Sequence, residues 1–282
     1  MASSASAKPA AEPERGGPLA GKKVAIVTGA SHGIGAGIAA AFTVAGYAVV
    51  GTARSVEPST TPDLLMVPGD IARAETAELV VREALDRFGR IDTLVNNAGI
   101  YIGKPFTDYT IDEYLAITSV NLTGFFHMTQ RAIAQMVAQG GGHVVNVSTS
   151  LVEHADARDP SALASLTKGG LEAVTRSLAT EYAGRGVRVN ALALGIIETP
   201  SNDPASYREL AARHPLGRVG EVSDVVDGVL YLERATFVTG ATLRIPRQGR
   251  AAATGRAGVG PSRGWVVADR DTLRHCVRHH VC

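Results

Sequence analysis

Cysteine is almost missing from this chain. Only two occur, Cys276 and Cys282, both within the last seven residues. No disulfide framework can therefore brace the body, which suits a reducing compartment and gives the cytoplasm as the expected location. Aromatic residues are scarce as well, at 5% with a single tryptophan. Charge of one sign is missing too: the net charge is +1, so the chain as a whole carries no electrostatic bias toward nucleic acid or a membrane surface. The richest apolar region, residues 36–51, is broken by Gly, Thr and Tyr and is too short to span a bilayer. His275, Cys276, His279, His280 and Cys282 match no zinc-ligand spacing, and no metal site is expected.

What is present is enough for one large core. The chain has 282 residues with 45% hydrophobic content, and no second domain is required. Residues 1–19, rich in Ala, Ser, Pro and Glu, read as a disordered leader and not as a signal peptide. Residues 246–282 carry seven arginines against two aspartates and lose all apolar periodicity. They read as an atypical tail, read from a shifted frame or acquired as an extension. Between these flanks, residues 20–245 alternate strand and helix patterns. Strands are expected at 24–28, 47–54, 64–67, 93–96, 143–149, 187–192 and 241–245. Helices are expected at 34–45, 75–88, 111–139, 160–183 and 221–232, with Asp159 and Pro160 as N-cap and first residue of the fourth. Such alternation implies an α/β fold: a single Rossmann-type, doubly wound parallel sheet with helices on both faces, whose ligands lie beyond the carboxyl ends of the strands.

The most informative stretch is Val24-Ala-Ile-Val-Thr-Gly-Ala-Ser-His-Gly-Ile-Gly35. A β-branched run enters a glycine-rich turn and then a helix. Gly29, Gly33 and Gly35 let bare backbone approach a ligand, and the helix N-terminus offers unpaired N–H groups to a pyrophosphate. Ser31, His32 and Ile34 complete the turn. The common three-glycine register fails for want of a glycine at position 38.

With Thr28-Gly29 leading, the spacing instead resembles that of the short-chain dehydrogenase/reductase family. Asn96-Asn97-Ala98-Gly99, Asn121 and Leu194-Gly195-Ile196-Ile197-Glu198-Thr199 follow in family order. The resemblance covers roughly residues 20–245 and implies an oxidoreductase that interconverts a small-molecule carbonyl and a secondary alcohol. It further implies a cofactor shell of Asp70 and Ile71 about the adenine, Asn97, Ala98 and Gly99 beside the cofactor, Lys168 on the ribose, and Ile197 and Thr199 near the carboxamide. Position 53, where NAD-users carry an acid, is Ala53, and Arg54 follows. An arginine there suits a 2′-phosphate, so NADP(H) is preferred, with NAD(H) as the lesser option.

The catalytic set implied by the resemblance is incomplete. Lys168 is in place, yet the family's tyrosine, four residues earlier, is Ala164. Asn121 remains for the water relay. Thr149, flanked by Ser148 and Ser150, aligns with the hydroxyl that polarises the carbonyl. His154 and Asp156 stand in the adjoining loop as substitute acids. Leu194 replaces the usual proline, which loosens the turn after it. The alternative reading is a catalytically silent NADP(H)-binding sensor or partner subunit. Family members form homo-oligomers that bury the chain end, so an oligomer is a further expectation, set against the altered tail. Pro200 to Leu216 reads as a lid over the substrate.

Overall fold

In a computed structural model of the protein, seven strands form one fully parallel sheet in the order β3-β2-β1-β4-β5-β6-β7. They are β1 Val24–Thr28, β2 Ala48–Ala53, β3 Leu64–Pro68, β4 Thr93–Asn96, β5 Gly142–Thr149, β6 Val187–Leu194 and β7 Thr242–Ile245. The strand order reverses between β1 and β4, where the crossovers leave in opposite directions and open a crevice at the carboxyl ends. The structure describes residues 21–200, 207–211, 214 and 216–245. All of these belong to one compact unit, Met1–Gly249. The expected leader, tail and His/Cys cluster, and part of the expected lid, lie outside the described residues.

The helices are α1 Gly33–Val44, α2 Ala74–Phe88, α3 Ile111–Thr118, α4 Phe125–Ala138, α5 Ala162–Tyr182, α6 Tyr207–Ala211 and α7 Val222–Arg234. Because successive side chains of a strand point to opposite faces, each buried strand feeds two cores. On β1, Val24 and Ile26 join α2 and α4 through Val80, Ala84, Met128 and Met136. Ala25 and Val27 join α1 and α7 through Ile38, Phe42, Val225 and Val229. Every β1 residue is buried, which is why the run reads as continuous apolar sequence without alternation. No described helix is long and apolar enough to cross a membrane.

Two elements depart from the sequence pattern. The long helix expected over 111–139 is interrupted by a π-helical turn, Ser119–Gly124, between α3 and α4. α5 starts at Ala162 with Ser161 before it, and not at Asp159 and Pro160. Asp159 is instead taken by the Tyr101 hydroxyl. A tertiary partner has claimed the carboxylate that local propensity assigns to the helix end.

Candidate active site

The carboxyl ends of β1, β2 and β4, with the start of α1, surround a cavity of about 810 Å³. Gly29, Ser31, His32, Gly33, Ile34, Gly35, Arg54, Asp70, Ile71, Asn97, Ala98, Gly99 and Thr199 all line it. Residues from five separate stretches of sequence thus meet in one space. Gly29 has φ +70°, a left-handed conformation that glycine adopts without penalty. Gly35 lies so close under the turn that a Cβ there would sit 2.1 Å from the Gly29 carbonyl oxygen. α1 begins at His32 with no capping side chain and no acidic residue in its first turn. Its leading N–H groups and dipole are therefore left for a negatively charged ligand. Arg54, exposed at the end of β2, adds a cation to the same wall. This donor set fits the phosphates of a dinucleotide.

Asn97 braces the turn. Its amide donates to the carbonyls of Thr28 (2.9 Å) and Gly29 (3.3 Å), and its backbone N–H donates to Thr28 Oγ1 (3.0 Å). Asn96 points the other way and holds the sheet, donating to Thr129 Oγ1 and to Asn146 Oδ1 at 2.9 Å each. Asp70, beyond β3 at the cavity lining, accepts the Ala72 N–H at Oδ1 (3.0 Å).

Asn121 sits at the middle of the π-helical turn and is buried. Its Oδ1 accepts the N–H of Ile100 (2.9 Å), while its Nδ2 donates to the Ile100 carbonyl (3.1 Å) and to Thr167 Oγ1 (3.2 Å). The side chain thus pairs with the chain leaving β4 as a neighbouring strand would. The extra residue of the π turn aims it there; such bulges are frequent at functional sites. Lys168, on α5, donates from Nζ to the Val147 carbonyl (2.8 Å). Desolvation by burial pulls its pKa down to about 8. A Cβ at Gly99 would stand 3.1 Å from that Nζ and 3.2 Å from Asn121 Oδ1, so the glycine keeps the corner open between the cavity and both groups.

The three hydroxyls at the end of β5 have different employments. Ser148 Oγ donates to buried Glu172 at 2.6 Å and faces α5. Thr149 Oγ1 accepts the Leu151 N–H at 3.3 Å, on the opposite side of the strand. Ser150 Oγ is buried with no partner. Ala164 is 4% exposed, so its methyl lies under cover and not at an open vacancy. In the loop, His154 N–H bonds the Ser150 carbonyl, and Asp156 pairs with Arg158. Ile197 is buried and bridges to Gly220, away from the cavity lining, while Thr199 lines the cavity beside Gly33.

Comparison with known proteins agrees with this geometry. Residues 29–246 match the family described as enoyl-(acyl carrier protein) reductase. The chain belongs to the short-chain dehydrogenase/reductase family. It is 34% identical over 237 residues to the 3-oxoacyl-[acyl-carrier-protein] reductase FabG of Thermotoga maritima, covering 79% of this chain and 96% of that one. It is also 34% identical over 245 residues to 3beta-hydroxysteroid dehydrogenase 1 of Eggerthella lenta, covering 80% and 92%. Among solved structures, ElxO with NADP bound superposes with a TM-score of 0.75 at 27% identity, covering 80% of this chain and 98% of that one. The protein is by family a short-chain oxidoreductase dependent on a nicotinamide cofactor.

Several members of the site were not foreseen from sequence. Thr167 as a partner of Asn121, Glu172 beneath Ser148, and the clamp of Tyr207 and His214 on the turn after β6 emerge only in three dimensions. Thr167 and Glu172 share a signal that could have found them: both are polar at positions where α5 is otherwise apolar.

Proposed function

We propose that the chain is an NADP(H)-dependent oxidoreductase that interconverts a carbonyl and a secondary alcohol, with an acid–base step that lacks the family's tyrosine. The observation that carries the reading is the convergence of the glycine turn, Arg54, the Asn97–Gly99 wall and Thr199 on one cavity, with Lys168 and Asn121 at its Gly99 corner. Arg54 clasps the 2′-phosphate, and the uncapped start of α1 holds the pyrophosphate. Lys168 binds the ribose hydroxyls. When bound, the nicotinamide supplies the hydride. Asn121 fixes the Ile100 backbone and the approach of water. Thr149 polarises the carbonyl, with Ser150, whose Oγ is unpartnered, as the second hydroxyl within the same loop. One relative is named for a 3-oxoacyl group on an acyl carrier protein and another for a 3beta-hydroxysteroid, a carbonyl and an alcohol on very different molecules. A carbonyl compound is accordingly the substrate class.

Ala164 supports the second reading, a silent NADP(H)-binding protein. A positioned acid is worth about 10²–10⁴-fold in rate, and a methyl group supplies none. Orientation alone still contributes through effective molarities of roughly 10⁵ M or more, so turnover persists at a reduced level under the first reading. Titration with NADPH and NADH by calorimetry tests the binding shared by both: micromolar NADPH with weaker NADH is expected, and no binding of either sinks both. Ala164→Tyr then separates them. Reductase activity raised at least tenfold across a panel of carbonyls supports the oxidoreductase, and an unchanged null supports the silent protein.

A further inference from the structure

The turn that follows β6 is held from outside the sheet. Gly195 N–H bonds the Ile245 carbonyl (2.7 Å), and Glu198 N–H bonds the Gly220 carbonyl (2.7 Å). Gly220 N–H returns to the Ile196 carbonyl (2.9 Å). Tyr207, opening α6, donates its hydroxyl to the Thr199 carbonyl (3.1 Å). The Ile196 amide donates to His214 Nε2 (3.3 Å). His214 is 4% exposed, and its own backbone is tied on both sides, N–H to the Ala211 carbonyl and carbonyl to the Gly217 N–H.

Because Nε2 accepts a bond, the imidazole is neutral with its proton on Nδ1. That Nδ1 is buried and has no partner. A second proton would convert Nε2 from acceptor to donor, set it against the Ile196 N–H, and leave three buried donors unsatisfied where one is now. Among the described residues, the charged groups on the surrounding elements are Arg208 and Glu209 on α6, Glu198 on the turn, and the Arg218–Asp224 pair with Glu221 at the start of α7. Burial acts on His214 and lowers its pKa.

We propose that His214 is a positioning residue for the cofactor cavity: its neutral imidazole fixes the Leu194–Thr199 turn, and protonation releases that turn. Thr199 lies three residues beyond the bonded amide and lines the cavity beside Gly33, where a Cβ would stand 3.7 Å from its side chain. Release therefore moves one side of the cavity, and cofactor affinity falls with pH. The link to affinity rests on the reading that this cavity holds the dinucleotide. The link from His214 to the turn does not.

Hydrogen exchange of the 194–199 amides in the full chain, without cofactor and corrected for intrinsic rates, tests the turn at about pH 7.5 and about pH 4, the lower value set well beneath the ordinary histidine range because burial lowers this one. Wild type, His214→Gln and His214→Leu are compared, with NADPH affinity measured at both pH values. The glutamine amide can still accept the Ile196 N–H but does not titrate. Wild type is expected to lose about fivefold or more of its protection on acidification, the worth of one hydrogen bond. His214→Gln keeps its protection at both pH values, and His214→Leu lacks it at both. NADPH affinity at low pH is about fivefold tighter in His214→Gln than in wild type. Acid loss of protection that persists in His214→Gln, or protection in wild type that ignores pH, overturns the proposal. The same holds if NADPH affinity has one pH dependence in wild type and His214→Gln. If the exchange pattern appears while no protein binds NADPH, the role of His214 on the turn stands and the cofactor reading falls.

Discussion

Replacing Lys168 with methionine sets stability against function at a single atom. Burial lowers the pKa of this ammonium from 10.5 to about 8. At about 1.4 kcal/mol per unit, holding the proton costs the folded chain about 3 kcal/mol. Methionine has a similar length and no charge, so Lys168→Met removes that cost. It also forfeits the 2.8 Å charge-assisted bond to the Val147 carbonyl, worth about 1.5–3 kcal/mol. The net expectation for the cofactor-free protein at neutral pH is a gain of about 0–1.5 kcal/mol. The direction with pH follows from proton counts. Below about 8, both the folded and the unfolded chain hold the proton and the penalty is complete. Between about 8 and 10.5 the unfolded chain holds it and the folded chain releases it, so wild-type stability rises with pH. The advantage of Lys168→Met is therefore widest near neutrality and closes toward pH 10. Urea denaturation at a series of pH values reads this directly. NADPH affinity moves the other way, weakening about 10–100-fold for lost charge-assisted bonds to the ribose. A variant that is less stable than wild type at neutral pH, or a stability difference that ignores pH, refutes the desolvation argument.

Gly35→Ala places a methyl 2.1 Å from the Gly29 carbonyl oxygen and 2.6 Å from Asn97 Nδ2. Backbone cannot yield there, so calorimetry is expected to show no NADPH binding, and binding within threefold of wild type would refute the close-packed turn. Arg54→Glu turns the preference around: NADPH weakens at least tenfold while NADH is unchanged or tighter, and equal losses for both would dismiss Arg54 from the 2′-phosphate. Asn121→Leu strands the Ile100 N–H and carbonyl in a buried corner, for about 2–4 kcal/mol of stability by chemical denaturation. A loss under about 0.5 kcal/mol would mean that water replaces the carboxamide without cost.

The alternating strands and helices were legible because parallel strands buried on both faces are written as continuous apolar runs, and the helices between them carry a 3.6-residue repeat. The glycine turn was legible for a similar local reason. Left-handed backbone and close approach demand glycine wherever they occur, so Gly29, Gly33 and Gly35 mark the turn without any knowledge of what lies opposite. The break in the helix over 111–139 was not legible. A π turn differs from α by one residue per turn, and Ser119–Gly124 contains nothing that forbids either form. Only the chance for Asn121 to satisfy both polar groups of Ile100 selects it. Asp159 shows the same priority from the other side: a good helix cap by propensity, it is spent on Tyr101 across the loop.

Among the three hydroxyls at the end of β5, the family alignment favoured Thr149, with Ser148 and Ser150 as its neighbours. The structure separates them by strand alternation, committing Ser148 to Glu172 while Thr149 faces the other side. By itself, then, the sequence determined what the backbone must do locally: which runs are strands, which turn admits a ligand, and which family's motifs are present. The tertiary structure alone decided which side chains meet across long separations, above all Asn121 with Ile100 and Thr167, and His214 with Ile196. Local geometry is encoded by each residue's own sterics and periodicity. A hydrogen bond between distant residues depends on the packing that brings them together, and no short window of sequence contains it.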